Sequence, residues 1–77
     1  MEELYSEAEL KQAFRIVFDY MNRHRAVPKT LDEYKDIMDD MWTTYVNTGK
    51  LPIVRTMISA AHTYIYDEAQ RRKEGRS

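Results

Sequence analysis

The side chains best suited to catalysis or metal binding are two histidines, and their spacing favours neither role. His24 falls at the edge of the apolar arc of the first predicted helix, and His62 lies on the flank of the third. They lack the His-Glu-x-x-His spacing that places two zinc ligands on one helical face. The chain has no cysteine, so it offers no thiolate for a metal or an iron–sulfur cluster. We therefore expect a non-enzymatic protein with no catalytic residue, no metal site and no cofactor.

A strip of hydrogen-bond donors on the third predicted helix could hold a phosphate or a carboxylate. Its members recur at steps of three and four residues: Arg55, Ser59, His62 and Tyr66. Helices of soluble proteins always have a polar face, so exposure to solvent accounts for the strip more simply. The two glycines, Gly49 and Gly75, are isolated and form no phosphate-binding loop. Nucleotide chemistry is not indicated.

Four aspartates on the second predicted helix are the most distinctive feature of the sequence. Offsets of four, seven and eight residues place them on one side of the helix, opposite its apolar stripe: Asp32, Asp36, Asp39 and Asp40. Only Lys35 interrupts their negative charge. Such like charges repel by roughly a few tenths of a kcal/mol per pair, a cost that a mixed face would avoid. We interpret this acidic ridge as a docking surface for a basic protein partner; the alternative is a solvated face that keeps the chain soluble.

Aromatic residues form a second candidate contact surface. Tyrosine and tryptophan combine a large contact area with a polar tip, and both are enriched at protein interfaces. The chain has six tyrosines and one tryptophan, of which Tyr34 and Tyr45 face the predicted core. Four others lie at or beyond the margins of that core and are predicted to contact a partner: Tyr20, Trp42, Tyr64 and Tyr66.

A basic cluster near the C-terminus supports an alternative function. We predict a short basic tail over residues 71–77, which together with Arg55 could neutralise the phosphates of a nucleic acid. The cations in question are Arg55, Arg71, Arg72, Lys73 and Arg76. The aspartates would repel a phosphate backbone, however, and 12 basic against 13 acidic residues leave no strong net field. A small nucleic-acid-binding or transcription-associated regulator is therefore the second hypothesis.

Three predicted helices carry these residues. Ser6 to Glu9 and Thr30 to Glu33 both have the spacing of a capping box, which starts a helix. Pro28 disfavours helix just before the second start, Gly49 favours a helix end, and Pro52 suits the first position of a third helix. We predict helices over about residues 7–25, 31–48 and 53–72. They should form an all-α, up-down-up three-helix bundle in one domain, residues 1–77.

Each predicted helix carries an apolar stripe that should form the core. On the first helix the stripe is Leu10, Phe14, Val17, Phe18 and Met21. On the second it is Tyr34, Ile37, Met38, Met41 and Tyr45, and on the third Val54, Met57, Ile58, Ala61 and Ile65. The apolar arcs of the first and third helices are wider than one small core requires. Their surplus residues either drive formation of a homodimer or mark a loose core edge: Ala13, Ile16, Ile53 and Ala60.

The N-terminal sequence lacks the basic start and the continuous apolar segment of a signal peptide, and no stretch approaches the ~18 apolar residues of a membrane span. We expect a cytoplasmic protein with no membrane partner. The features together predict a protein–protein interaction module, a small accessory or inhibitory protein that docks through the acidic ridge and a tyrosine-rich surface. Such a compact, cysteine-free build suits a bacterial or phage-encoded regulator.

Overall fold

The computed structural model describes residues 2–74, which form three α-helices and, within that range, no strand. Helix α1 spans Glu7–Arg23, α2 spans Leu31–Asn47 and α3 spans Pro52–Glu74. The predicted all-α three-helix bundle is confirmed. Residues 71–74, predicted as part of a tail, continue α3, because no helix breaker precedes Gly75 and cations suit the negative end of a helix. Arg76 lies outside the described residues.

The helix starts follow from local hydrogen bonds. The Ser6 Oγ accepts from the Glu9 N–H at 3.0 Å and the Glu9 carboxylate accepts from the Ser6 N–H at 3.0 Å, which confirms the first capping box. The Thr30 Oγ1 accepts from the Glu33 N–H at 3.2 Å. The Glu33 carboxylate instead accepts from the Lys29 N–H, at 2.7 Å, so the second box is only half formed.

The end of α2 is closed by two residues with left-handed backbone. Gly49 has φ of 90° and Lys50 has φ of 55°. This turn lets the Lys50 N–H donate to the Tyr45 carbonyl at 3.0 Å and the Gly49 N–H donate to the Val46 carbonyl at 3.3 Å. These bonds satisfy carbonyls that the last turn of a helix leaves without partners. The connection to α3 is therefore short.

Helix α3 packs against both other helices, while α1 and α2 touch each other less. The ring of Tyr34, near the start of α2, lies 5.6 Å from that of Tyr66 in the second half of α3, so these two helices are antiparallel. Helix α1 runs alongside α3 in the same direction, and residues of its second half pair with the middle of α3. The shared core consists of Ala13, Tyr20, Ile37, Met41, Val54, Ile58 and Ala61.

Helix α1 buries only part of its predicted apolar stripe: Val17 and Met21 pack against the core as predicted, but two other members of the stripe do not. Ala13 and Tyr20 are fully buried, whereas Phe14 and Phe18 are 59% and 66% exposed. The small Ala13 side chain leaves room for α3 to approach, and Tyr20 fills the core between all three helices. The prediction that Phe14 and Phe18 form the core is wrong, and so is the prediction that Ala13 lies on a self-association surface.

Helices α2 and α3 bury most of the residues predicted to face inward. Ile37, Met41, Val54, Ile58 and Ala61 are buried as expected, but Met38 is about half exposed. The four residues predicted for self-association divide between core and surface. Ile16 and Ile53 are partly buried and pack against the core, and Ala60 alone of the four is exposed.

Candidate functional site

Three of the four predicted aspartates form an open acidic surface. Asp32, Asp36 and Asp39 are exposed on α2, and none of them forms an ion pair with another residue between 2 and 74. Helix α2 contains five acidic residues and one lysine, whereas α1 contains three acidic and three basic residues. The negative charge of a nearly neutral chain is thus concentrated on one helix. A partner approaching α2 meets a local negative potential although the net charge of the chain is only −1.

Asp40, the fourth aspartate of the predicted ridge, is committed to contacts within the bundle. The Arg23 Nε donates to Asp40 Oδ2 at 2.9 Å and Arg23 Nη2 donates to Oδ1 at 3.2 Å, which is the two-point geometry of an arginine–carboxylate pair. His24 Nε2 lies 2.5 Å from Oδ2, and the Thr44 hydroxyl donates to Oδ1 at 3.1 Å. This cluster ties the end of α1 to the middle of α2. Asp40 thus has partners within the bundle that the sequence did not indicate, and its contact with a protein partner stays a prediction.

The contacts of Asp40 also control its ionisation. Burial acts to raise the pKa of Asp40, but hydrogen bonds from Arg23 and His24, the positive charge of Arg23 and the hydroxyl of Thr44 outweigh it. The pKa of Asp40 is consequently lowered from its usual value of 3.8. Asp40 is therefore a carboxylate at neutral pH and holds the two helices together in that form.

An exposed apolar stripe lies beside the aspartates on α2. It consists of four residues separated by seven, four and four positions: Leu31, Met38, Trp42 and Val46. Leu31 is 85% exposed and Trp42 is 51% exposed. At about 100° per residue the stripe adjoins the acidic side of the helix, with Val46 next to Asp39. The Trp42 ring is steadied by an edge contact with Tyr45, their centroids 6.2 Å apart.

We call this combined surface the α2 docking face. It comprises Leu31, Asp32, Asp36, Met38, Asp39, Trp42 and Val46. The sequence prediction included the three aspartates and Trp42 but missed the other three residues. The signal for them was the step of four residues from Met38 through Trp42 to Val46, which marks one side of a helix. It was obscured because Met38 also fits the edge of the core stripe.

Tyr20 is a core residue, so its predicted role as a partner contact is wrong. Its hydroxyl donates to the Ile37 carbonyl at 3.2 Å and lies 3.2 Å from His62 Nδ1. The hydroxyl has one proton, which Ile37 accepts, so His62 Nδ1 serves as the donor to Tyr20. Burial, and after it the charge of Asp40, raise the pKa of Tyr20 to about 12, while burial and His24 lower the pKa of His62. Both groups are therefore neutral at physiological pH.

The remaining predicted tyrosines lie on two different sides of the molecule. Tyr66 is about half exposed and packs edge-on against Tyr34, whose hydroxyl accepts from Gln70 Nε2 at 3.1 Å. Tyr64 is exposed on the side where α3 meets α1. The predicted single tyrosine-rich surface is thus divided. Tyr66 borders α2, while Tyr64 belongs to a separate face.

The basic residues of the alternative hypothesis do not form one patch. Arg71 and Arg72 both contact Glu68, at 2.6 and 3.4 Å, which reduces the charge they present to solvent. Arg55 precedes Arg71 by 16 residues of continuous helix, a distance of about 24 Å. Lys73 is exposed beside the arginine pair. The predicted donor strip is divided too, because His62 turns inward to Tyr20 while Arg55 remains exposed.

No three histidine, aspartate or glutamate side chains within the described part of the chain are grouped as metal ligands would be. None of the helices between residues 2 and 74 has the length and apolar character needed to cross a membrane. Comparisons of the chain with protein-family models, with curated proteins and with solved structures find no match. The fold and surface alone define the class of molecule: a three-helix bundle that presents one acidic, partly apolar helix face.

Proposed function

We propose that this chain is a non-enzymatic protein–protein interaction module that binds a basic segment of a partner through the α2 docking face. One observation supports the proposal above others, namely that unpaired carboxylates lie beside exposed large apolar side chains on a single helix. A solvated face needs only the carboxylates. Met38, Trp42 and Val46 are exposed apolar residues on successive turns, with Leu31 two turns before Met38 and the exposed Lys35 between those two. Such exposed apolar surface is typical of a site that binds another protein.

The two parts of the face would contribute differently to binding. Trp42 is the natural anchor, because truncation of a buried aromatic anchor at an interface typically costs about 2 kcal/mol or more. Met38 adds a flexible side chain that adapts to the shape of a partner. The aspartates steer a basic partner toward the face and raise the association rate in a salt-dependent way. A lysine- or arginine-bearing amphipathic helix matches both parts.

A chain of this kind acts by occupying its partner's surface, as an accessory or inhibitory protein. A basic surface that otherwise binds nucleic acid would be blocked by the carboxylates of α2. Direct nucleic-acid binding by the chain itself has less support, because Arg71 and Arg72 share Glu68 and Arg55 is remote from both. That alternative requires retention on heparin that falls steeply with salt, whereas the proposed function requires weak retention.

The experiment uses the single tryptophan of the chain, Trp42, as the reporter of binding. The protein is titrated with a synthetic amphipathic lysine–leucine helix, and tryptophan fluorescence and association rate are measured at several salt concentrations. Asp36→Lys with Asp39→Lys should slow association and weaken its salt dependence. Circular dichroism should show an intact fold, since like-charge repulsion on α2 is relieved.

A matched control separates the position of the charges from their number. Glu3→Lys with Asp67→Lys makes the same change in net charge at two exposed positions outside α2, neither of which forms an ion pair within residues 2–74. This control should bind the peptide with nearly the salt dependence of the unmodified chain. Equal losses for the two double variants, or no loss for the α2 variant, would show that the aspartates are only a solvated face. If the α2 variant alone loses its salt-dependent binding, a pull-down from the native host would identify the natural partner of the docking face.

A further inference from the structure

A second apolar surface lies where α1 and α3 run side by side. Phe14 and Phe18 are exposed on α1, and Tyr64 of α3 is 57% exposed. Phe18 and Tyr64 line an open groove of about 590 Å³ between the two helices. We call Phe14, Phe18 and Tyr64 the aromatic face. It is separate from the α2 docking face because it is formed by the other two helices.

The charges that flank the aromatic face have a symmetric arrangement along α1. Glu7 precedes Phe14 by seven residues, and Arg25 follows Phe18 by seven residues. At about 100° per residue, Glu7, Phe14 and Phe18 fall within about 40° of one another on the helix. Arg25 lies two residues beyond the end of α1 and lines the same groove as Phe18. Lys11 lies between Glu7 and Phe14, and its ammonium is 3.3 Å from the Glu7 carboxylate in a pair whose side chains are both more than three-quarters exposed. Arg72, which also lines the groove, contacts Glu68. Arg25 forms no ion pair within residues 2–74, so the two ends of the aromatic pair carry Glu7, with Lys11 beside it, and an unpaired Arg25.

The order Glu7, Phe14, Phe18, Arg25 is complementary to itself when reversed. If a second α1 lies antiparallel to the first, with the twofold axis midway between Phe14 and Phe18, each Phe14 meets the partner's Phe18. The same register brings each Glu7 opposite the partner's Arg25. A twofold contact between identical chains requires such a self-complementary surface.

We propose that the aromatic face is the interface of a symmetric homodimer, formed by two copies of this chain with their α1 helices antiparallel. A fully covered aromatic side chain buries about 150–250 Å², so the exposed parts of the three rings supply roughly half of the ~800 Å² per partner found in stable complexes. The flanks of α1 and α3 supply the rest. Because the aromatic contact is modest, we expect a dissociation constant in roughly the micromolar range.

The proposal moves self-association away from the residues that sequence reasoning favoured. Ala13 and Ile16 face the core, whereas Phe14 and Phe18, which were expected inside, cover the outside. It is also independent of the proposed function, because no residue of the α2 docking face takes part. The dimer leaves both copies of that face uncovered.

A charge exchange tests the antiparallel register directly, with sedimentation velocity over a concentration series as the measurement. Glu7→Arg places two arginines opposite one another at both ends of the homodimer, and Arg25→Glu places two glutamates there. Each variant alone should dimerise about tenfold more weakly than the unmodified chain. An equimolar mixture of the two should recover the original affinity, because every pair in the mixed dimer is again arginine opposite glutamate.

Two further variants test the face itself. Phe18→Glu should give monomers throughout the concentration series, while circular dichroism shows unchanged helix content because the side chain is exposed. Val46→Glu makes the same kind of change on α2 and should leave the dimer intact. A strict monomer for the unmodified chain at several hundred micromolar would overturn the proposal. So would a mixture of the Glu7 and Arg25 variants that dimerises no better than either variant alone.

Discussion

Tyr20 shows how a single polar atom decides which side of α1 is buried. Its ring has no exposed surface, yet its hydroxyl contacts both the Ile37 carbonyl and His62, so this buried oxygen has hydrogen-bond partners. A phenylalanine could fill the same space but could not satisfy His62. Phe14 and Phe18 lack a polar tip and can remain outside at the cost of exposed apolar surface alone. The core is thus selected by hydrogen bonding as well as by hydrophobicity.

Removal of the Tyr20 hydroxyl should therefore destabilise the fold. We expect Tyr20→Phe to lower the free energy of unfolding by about 1–2 kcal/mol, because His62 loses its partner in a partly buried site. Phe14→Ala is the matched control on the other side of α1 and should change stability by less than about 0.5 kcal/mol at concentrations where the chain is monomeric. Urea unfolding followed by circular dichroism measures both. A larger loss for the Phe14 variant would mean that the other side of α1 is buried.

Asp40 gives a prediction for pH dependence. Its pKa is lower in the folded chain than the unfolded value near 3.9, so the stability it supplies is present above that value and is lost as pH falls through the folded pKa. Asp40→Asn should cost about 1–3 kcal/mol at pH 7 and progressively less below about pH 4. Asp36→Asn, at an exposed unpaired site, should cost little at either pH. Thermal unfolding between pH 2.5 and 7 provides the comparison, and a cost that stays constant with pH would contradict this role.

At the scale of the helices, the starts and ends were the most predictable features. Ser6 and Thr30 act on the backbone three residues ahead, Pro28 on the residue just before it and Pro52 through its own backbone, and such local interactions can be identified in the sequence alone. The observed bounds of all three helices accordingly fall within two residues of the predicted ones. At its basic end α3 extends two residues beyond its predicted end, to Glu74, because the sequence has no helix breaker before Gly75.

The buried side of α1 was not predictable in the same way. Its apolar residues extend around more than half of the helix, from Ile16 through Tyr20 and Leu10 to Phe18, so periodicity alone offers two overlapping stripes. The choice between them depends on Ile37 and His62, which lie 17 and 42 residues away from Tyr20 in the chain. The internal contacts of Asp40 were missed for the same reason. Its partners Arg23 and His24 are brought to it only by the packing of α1 on α2.

The cap of α2 provides a test at this scale. Thr30→Ala removes the oxygen that accepts the Glu33 N–H and should lower the free energy of unfolding by about 0.5–2 kcal/mol. We expect the lower part of that range, because the Glu33 carboxylate accepts from the Lys29 N–H and not from the Thr30 N–H, so only one of the two capping-box hydrogen bonds is present. Thr43→Ala removes an exposed threonine within the same helix and should be neutral or slightly stabilising. Equal effects of the two substitutions on the urea midpoint would argue against a specific cap.

At the scale of the whole molecule, the bundle is elongated, with extents of 54 × 23 × 15 Å. A bundle only 15 Å thick in one direction cannot enclose every apolar side chain of three helices, which explains why large residues remain exposed on two separate sides. One side combines its apolar residues with carboxylates. On the other side, Glu7 with its neighbour Lys11 and the unpaired Arg25 lie at opposite ends of two phenylalanines. This difference in charge is the reason for assigning a basic partner to α2 and a second copy to α1 and α3.

If both assignments hold, the dimer carries two α2 docking faces and should bind a surface of basic sites more tightly than a monomer does. We expect the unmodified chain to dissociate at least about tenfold more slowly than Phe18→Glu from a sensor densely coated with the lysine–leucine peptide. In solution, a single peptide should bind both proteins equally, as measured by Trp42 fluorescence, because the docking face itself is unchanged. On a sparsely coated sensor, where one dimer cannot reach two peptides, the difference in dissociation rate should disappear. A difference that persists on the sparsely coated sensor would mean that Phe18 contacts the peptide directly. The aromatic face and the α2 docking face would then both bind the peptide.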